Sequence, residues 1–217
     1  MPGIFDVLAG NAQLADVAAS AAACVALVGA LLAAAILVSR LAEKLVVGVL
    51  ALVAGTGLAL VIECYLTFPG VVYHELSHAL AALLTGARVT KISLRPRRSG
   101  DDYVLGSVIY VTCGGRIRQA FQLFITGLAP SVTGLAGMAG MVLGVLPLCT
   151  LMWQRVLWGY LFACLLLHTG LSRQDLHGMY AGAPIVLLVL LAAFLIAPFD
   201  AFGLTQQALG ALGALAA

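Results

Sequence analysis

Residues 18–38 form a long, almost wholly apolar run of Ala, Val and Leu without one charged side chain. Such a run is long enough to cross a bilayer as a helix. In lipid every backbone amide must find its partner within the protein, which restricts spanning segments to helices or closed barrels. Further apolar stretches fall at about 45–66, 70–85, 123–146, 151–168 and 179–198. Hydrophobic residues make up 63%, charged ones 9%, and mean hydropathy is +1.10, values that exclude an ordinary soluble globule. The expected class is an all-α polytopic membrane protein of about six transmembrane helices, folded as one domain of 217 residues. Its medium is the lipid bilayer. A net charge of +2 gives no reason to expect a nucleic-acid partner.

The connections follow from the breakers and the charges. Arg40-Leu-Ala-Glu-Lys44 reads as a charged turn between the first two spans. Thr67-Phe-Pro-Gly70 interrupts the second stretch, either as a turn between spans or as a kink in one long helix. Between Arg88 and Arg118 lie seven Lys and Arg residues against Asp101 and Asp102, so this loop is expected in the cytoplasm and the N-terminus outside. The segment 87–94 alternates, 103–111 is rich in β-branched and aromatic residues, and a Pro/Arg/Ser/Gly/Asp stretch separates them. That pattern predicts a small β-hairpin. The fourth span carries Gly127, Gly134, Gly137, Gly140 and Gly144 with Pro130, and small residues so spaced let helices approach closely. The five cysteines form no CxxC pair, and four of them are expected as small buried hydrophobes.

Within the short third helix stands His74-Glu75-Leu76-Ser77-His78, and Gly86 is placed to cap that helix. Residues four apart share a helix face, so both imidazoles can reach one tetrahedral Zn2+. Glu75 lies about 100° further round, where it can take a proton from an attacking water and return it to a leaving amine. Two imidazoles and a carboxylate are expensive to hold in an apolar run, which favours a metal site over satisfied polar residues between helices.

A catalytic zinc held by two imidazoles needs a third protein ligand. Asp175, His168 and His177 cluster around one break between spans, and Asp175 is the preferred candidate. The competing reading makes Ser172 and Asp175 a helix N-cap with an acidic residue three positions on. On the helix, His74 and His78 rise about 12–18 Å from Gly86. Asp175 therefore reaches them only if 169–174 dips into the membrane in extended form, which is allowed at depth only where protein or a watery cavity surrounds it.

Taken together, Pro69-Gly-Val-Val-Tyr-His-Glu-Leu-Ser-His-Ala-Leu80, the following Gly86-Ala-Arg-Val and Gly127-Leu-Ala-Pro130 resemble the site-2 protease family of intramembrane zinc metalloproteases. The resemblance covers about 68–182. It departs at Gln174-Asp-Leu-His-Gly178, which lacks the family's Asn/Pro-rich lead into Leu-Asp-Gly, and at Ser131, where the family carries asparagine; there is no PDZ-like insertion. This is similar to one of the small, divergent members. The resemblance implies His74, His78 and Asp175 as zinc ligands and Glu75 as the acid/base. It also implies a transmembrane or membrane-proximal protein as substrate, in a multi-pass protein of the cell membrane. The division that follows is 1–66 for the first spans, 67–182 for the catalytic core and 183–217 for the last span and tail. Two rival readings are an inactive relative that binds partners, and a metal transporter or sensor.

Overall fold

The computed structural model describes residues 4–10, 13–94, 97–99, 102–104, 106–196 and 210. The chain forms two compact units, one of Ala34–Ala183 and one of Met1–Ala33 with Pro184–Ala217. The latter holds α1 (Ile4–Leu8), the start of α2 (Leu14–Ala54) and most of α8 (Ala183–Ile196), with Val17, Ala21, Cys24 and Val186 buried.

The charged turn expected at 40–44 is absent: α2 runs through it without a break. Arg, Leu, Ala, Glu and Lys are all strong helix formers, and nothing there resembles a breaker. Arg40 is half-buried and its guanidinium donates to the carbonyl of Leu171, so it is a packing residue rather than a loop charge. The break comes instead at Gly55, whose φ of 81° is left-handed and suits glycine. Next, α3 (Thr56–Leu66) and α4 (Phe68–Leu84) meet at Thr67 with a bend of 66°. The Thr67–Gly70 interruption is thus a one-residue kink, with Pro69 in the first turn of α4, where its missing N–H costs no helical bond.

Among the described residues, Leu14–Ala54 and Arg116–Leu148 are each long and apolar enough to cross a membrane, and two bent pairs raise the candidates to four. The expected six are not all found. The unbroken α2 absorbs the first stretch and part of the second, and the 14 residues of α8 fall short of a span. Residues 197 and 198 of the last stretch, and the tail apart from Gly210, lie outside the described residues.

Helix α4 ends in a Schellman motif at Gly86 (φ 81°). The Gly86 N–H bonds to Leu83 and that of Ala87 to Ala82. The hairpin follows as two nested ladders. β1 (Arg88–Ser93) pairs antiparallel with β4 (Ser107–Val111), and β2 (Arg97–Ser99) with β3 (Asp102–Val104). Residues 95, 96, 100 and 101 of its expected turn lie outside the described residues. Helix α5 (Arg116–Gly140) continues through a π turn and a 3-10 turn to Leu148. Helices α6 (Met152–His168) and α7 (Arg173–Met179) form the second bent pair, at 54°.

Three α5 glycines are points of close approach. A Cβ on Gly127 would lie 2.7 Å from Met179 Cγ and 3.0 Å from the Asp175 carbonyl oxygen, and one on Gly134 would strike Thr169. One on Gly137 would lie 3.0 Å from both Leu165 and Tyr73, whereas Gly140 and Gly144 face open space. No disulfide joins the five cysteines, and only Cys113 is not buried.

Candidate metal centre

The i, i+4 spacing on α4 sets the two imidazoles edge to face, with His74 Nε2 and His78 Nε2 3.1 Å apart. Each ring is held from behind. His74 Nδ1–H donates to the carbonyl of His168 and His78 Nδ1–H to that of Thr126, both at 2.7 Å. Both acceptors are free for a stated reason. His168 is the last residue of α6, where carbonyls have no helical partner. Thr126 lies four residues before Pro130, which has no N–H to give it. A carbonyl only accepts, so Nδ1 carries the proton in each ring and both Nε2 atoms present lone pairs.

The third group comes from α7. Ser172 caps that helix: its hydroxyl accepts from Asp175 N–H at 3.1 Å, and its own N–H donates to Asp175 Oδ2 at 2.8 Å. The other carboxylate oxygen, Oδ1, stands 3.3 Å from His78 Nε2, while Oδ2 is 3.9 Å from His74 Nε2. The capping box and the approach to the histidines, alternatives in the sequence, therefore coexist. His168 contributes no ring atom to the cluster, since its Nε2 bonds Thr67 Oγ1 at 2.7 Å. His177 is exposed and meets Tyr180 edge-on.

The expected extended form of 169–174 is not what the chain adopts: Thr169 keeps a helical conformation, Arg173 and Gln174 already belong to α7, and Ser172 is extended. Neighbouring side chains bond the backbone around this short connection. Ser39 Oγ donates to Leu167, Arg40 to Leu171 and Ser131 Oγ to Thr169.

His74, His78 and Asp175 can each offer one atom to a metal, these atoms lying within 4.8 Å of one another. Two lone pairs 3.1 Å apart beside a carboxylate repel unless a cation sits among them. Bonds of about 2.0–2.1 Å at tetrahedral angles would set two nitrogens about 3.3 Å apart, so the donor set fits a zinc-sized ion.

Glu75 is buried next to His74 and borders two cavities. One, of about 210 Å3, is also lined by Arg40, Glu43 and His168; the other, of about 290 Å3, by His78, Tyr110 and Asp175. Gly106 closes over the carboxylate: a Cβ there would lie 2.6 Å from Glu75 Cγ. Burial, and after it the Asp175 carboxylate, push the Tyr110 phenol above its ordinary pKa, so it stays protonated.

Comparison with known proteins was decisive on kinship. A family model described as peptidase M50B-like matches residues 46–216. The chain belongs to that family. It is the site-2 protease family, and its matched span holds all of α4, the hairpin, α5, α6 and α7. No curated protein and no solved structure matches this M50B-like chain. Sequence reasoning about the M50B-like chain passed over Thr126, Gly106 and Tyr110. Only Thr126 left a usable signal there, a proline four residues on inside a helix.

Proposed function

We propose that this protein is an intramembrane zinc metalloprotease that hydrolyses peptide bonds of transmembrane or membrane-proximal proteins. The observation that carries the reading is the facing pair of imidazole lone pairs with the Asp175 carboxylate beside them, in a chain of peptidase kinship. His74, His78 and Asp175 would hold the zinc. When bound, zinc polarises a peptide carbonyl and makes water acidic enough to attack near neutral pH.

The remaining work falls to the chain itself. Glu75 accepts the proton of the attacking water and delivers it to the leaving amine. Thr126 and His168 keep both rings in the tautomer that leaves Nε2 free, as acceptors behind metal-binding histidines do. The protein is read as multi-pass in the cell membrane, with the N-terminus outside and 88–118 in the cytoplasm. The seven positive charges of that loop support this orientation.

The test is purified full-length protein in detergent, assayed for zinc by elemental analysis and for cleavage of a fluorescent single-span reporter. Wild type is expected to carry one zinc and cut. Glu75→Gln is expected to retain zinc and lose at least about 100-fold in rate. Wild-type protein without zinc, or Glu75→Gln cutting at the wild-type rate, overturns the reading.

A further inference from the structure

The donor set leaves the half-buried hydroxyl of Tyr110, in the larger of these two cavities, unassigned. Alternation along β4 turns Val108 and Tyr110 toward that cavity, while Ile109 and Val111 are exposed. Register with β1, where Tyr110 stands opposite Val89, holds the strand in place. Beside the phenol lies Thr126, fully buried. Its Oγ1 interacts with Tyr110 but has no partner in hydrogen-bond geometry among the described residues. A buried hydroxyl without a partner is costly, so the neighbouring phenol is the group placed to pair with it. The residue is also rigidly placed, because its carbonyl holds His78.

The metal-binding side chains and Glu75 offer no hydrogen-bond donor to a substrate oxygen. Glu75 and Asp175 are acceptors as carboxylates, and both imidazole N–H groups are committed to carbonyls. Of the other polar side chains that line it, Ser172 and Gln174 are exposed and Ser107 stands at the first position of β4, whereas Tyr110 lies within the strand. Tyr110 can supply such a donor from a fixed strand.

We propose that Tyr110 is a catalytic residue whose phenolic O–H donates to the scissile carbonyl oxygen as that oxygen becomes negative, with Thr126 Oγ1 as the positioning residue behind it. The inference rests on the peptidase reading above. In the step, the water oxygen bonds to the carbonyl carbon, the C=O π pair moves onto oxygen, and the water proton passes to Glu75. The pair then returns, the C–N bond breaks, and Glu75 gives the proton to nitrogen. Tyr110 keeps its proton throughout.

The experiment uses the zinc-loaded full chain in detergent micelles, with fluorescein-labelled casein as probe. Tyr110→Phe is expected to lower kcat about 100-fold, the scale of one lost oxyanion donor, with zinc content and thermal midpoint unchanged. KM should stay within about twofold, and affinity for a tetrahedral phosphinic peptide should fall with kcat. Thr126→Val, which leaves the phenol in place, should lower kcat about tenfold. The inference is overturned if Tyr110→Phe keeps kcat within about threefold, raises KM alone, or loses zinc along with activity, or if Thr126→Val cuts like wild type. Glu75→Gln run alongside separates the two ideas. Its cutting at the wild-type rate, or wild type not cutting at all, removes the peptidase reading and Tyr110's role with it. An inert Glu75→Gln beside a fully active Tyr110→Phe removes only the latter.

Discussion

His78 Nδ1 lies 2.7 Å from the carbonyl oxygen of Thr126, an acceptor outside the helical ladder of α5 because Pro130 stands four residues on. A residue that would usually weaken a helix thereby supplies the anchor for a candidate metal ligand.

Pro130→Ala tests that link. The new N–H would compete for the Thr126 carbonyl and restore a helical bond. The thermal midpoint is expected to hold or rise, since Ala is favoured over Pro by about 3 kcal/mol inside a helix. Zinc affinity, measured against a competing chelator, is expected to fall about 10–100-fold. Undiminished affinity would show that His78 does not need this acceptor.

The two oxygens of Asp175 can be separated by substitution. Asp175→Asn keeps an oxygen able to accept from Ser172 N–H but removes the charge facing His78. It should lose zinc with little change in thermal stability. Ser172→Ala removes the hydroxyl that caps Asp175 N–H, costing about 1 kcal/mol, and leaves the carboxylate held only by the backbone N–H at 172. A weaker but measurable zinc site is expected. Both variants binding zinc like wild type would remove Asp175 from the donor set.

Gly106→Ala places a methyl group against the Glu75 side chain. Displacing a catalytic group by about 1 Å can cost on the order of 100-fold, so the cleavage rate should fall at least tenfold while zinc content stays full. Equal cleavage by this variant would mean the hairpin does not position Glu75.

The glycines of α5 should divide by what they face. Gly127→Ala pushes against Met179 and the Asp175 backbone, so a loss of about 1–3 kcal/mol and weaker zinc binding are expected. Gly140→Ala meets open space and should gain up to about 1 kcal/mol from helix propensity. Thermal unfolding of both in one detergent is the comparison; equal effects would deny that Gly127 seats α7.

The kink at Thr67 and the unbroken α2 show where reading along the chain runs out. Charges at 40–44 resemble a loop only until Arg40 is seen turned onto the Leu171 carbonyl. Apolar runs announce helices, yet neither where one ends nor how many cross the membrane follows from hydropathy alone.

The i, i+4 histidines, the glutamate beside them, the Gly86 stop and the paired strands were all legible from local chemistry. Each depends on neighbours a few residues away, through helical period, left-handed glycine or strand alternation. The partner from α7, the carbonyls behind both rings, Gly106 over Glu75 and the phenol of Tyr110 were settled only by packing. They join segments tens of residues apart, and among Asp175, His168 and His177 no local rule says which side chain the fold turns inward. Helix bends and glycine contacts make that choice, because they set which backbone groups are left to be satisfied.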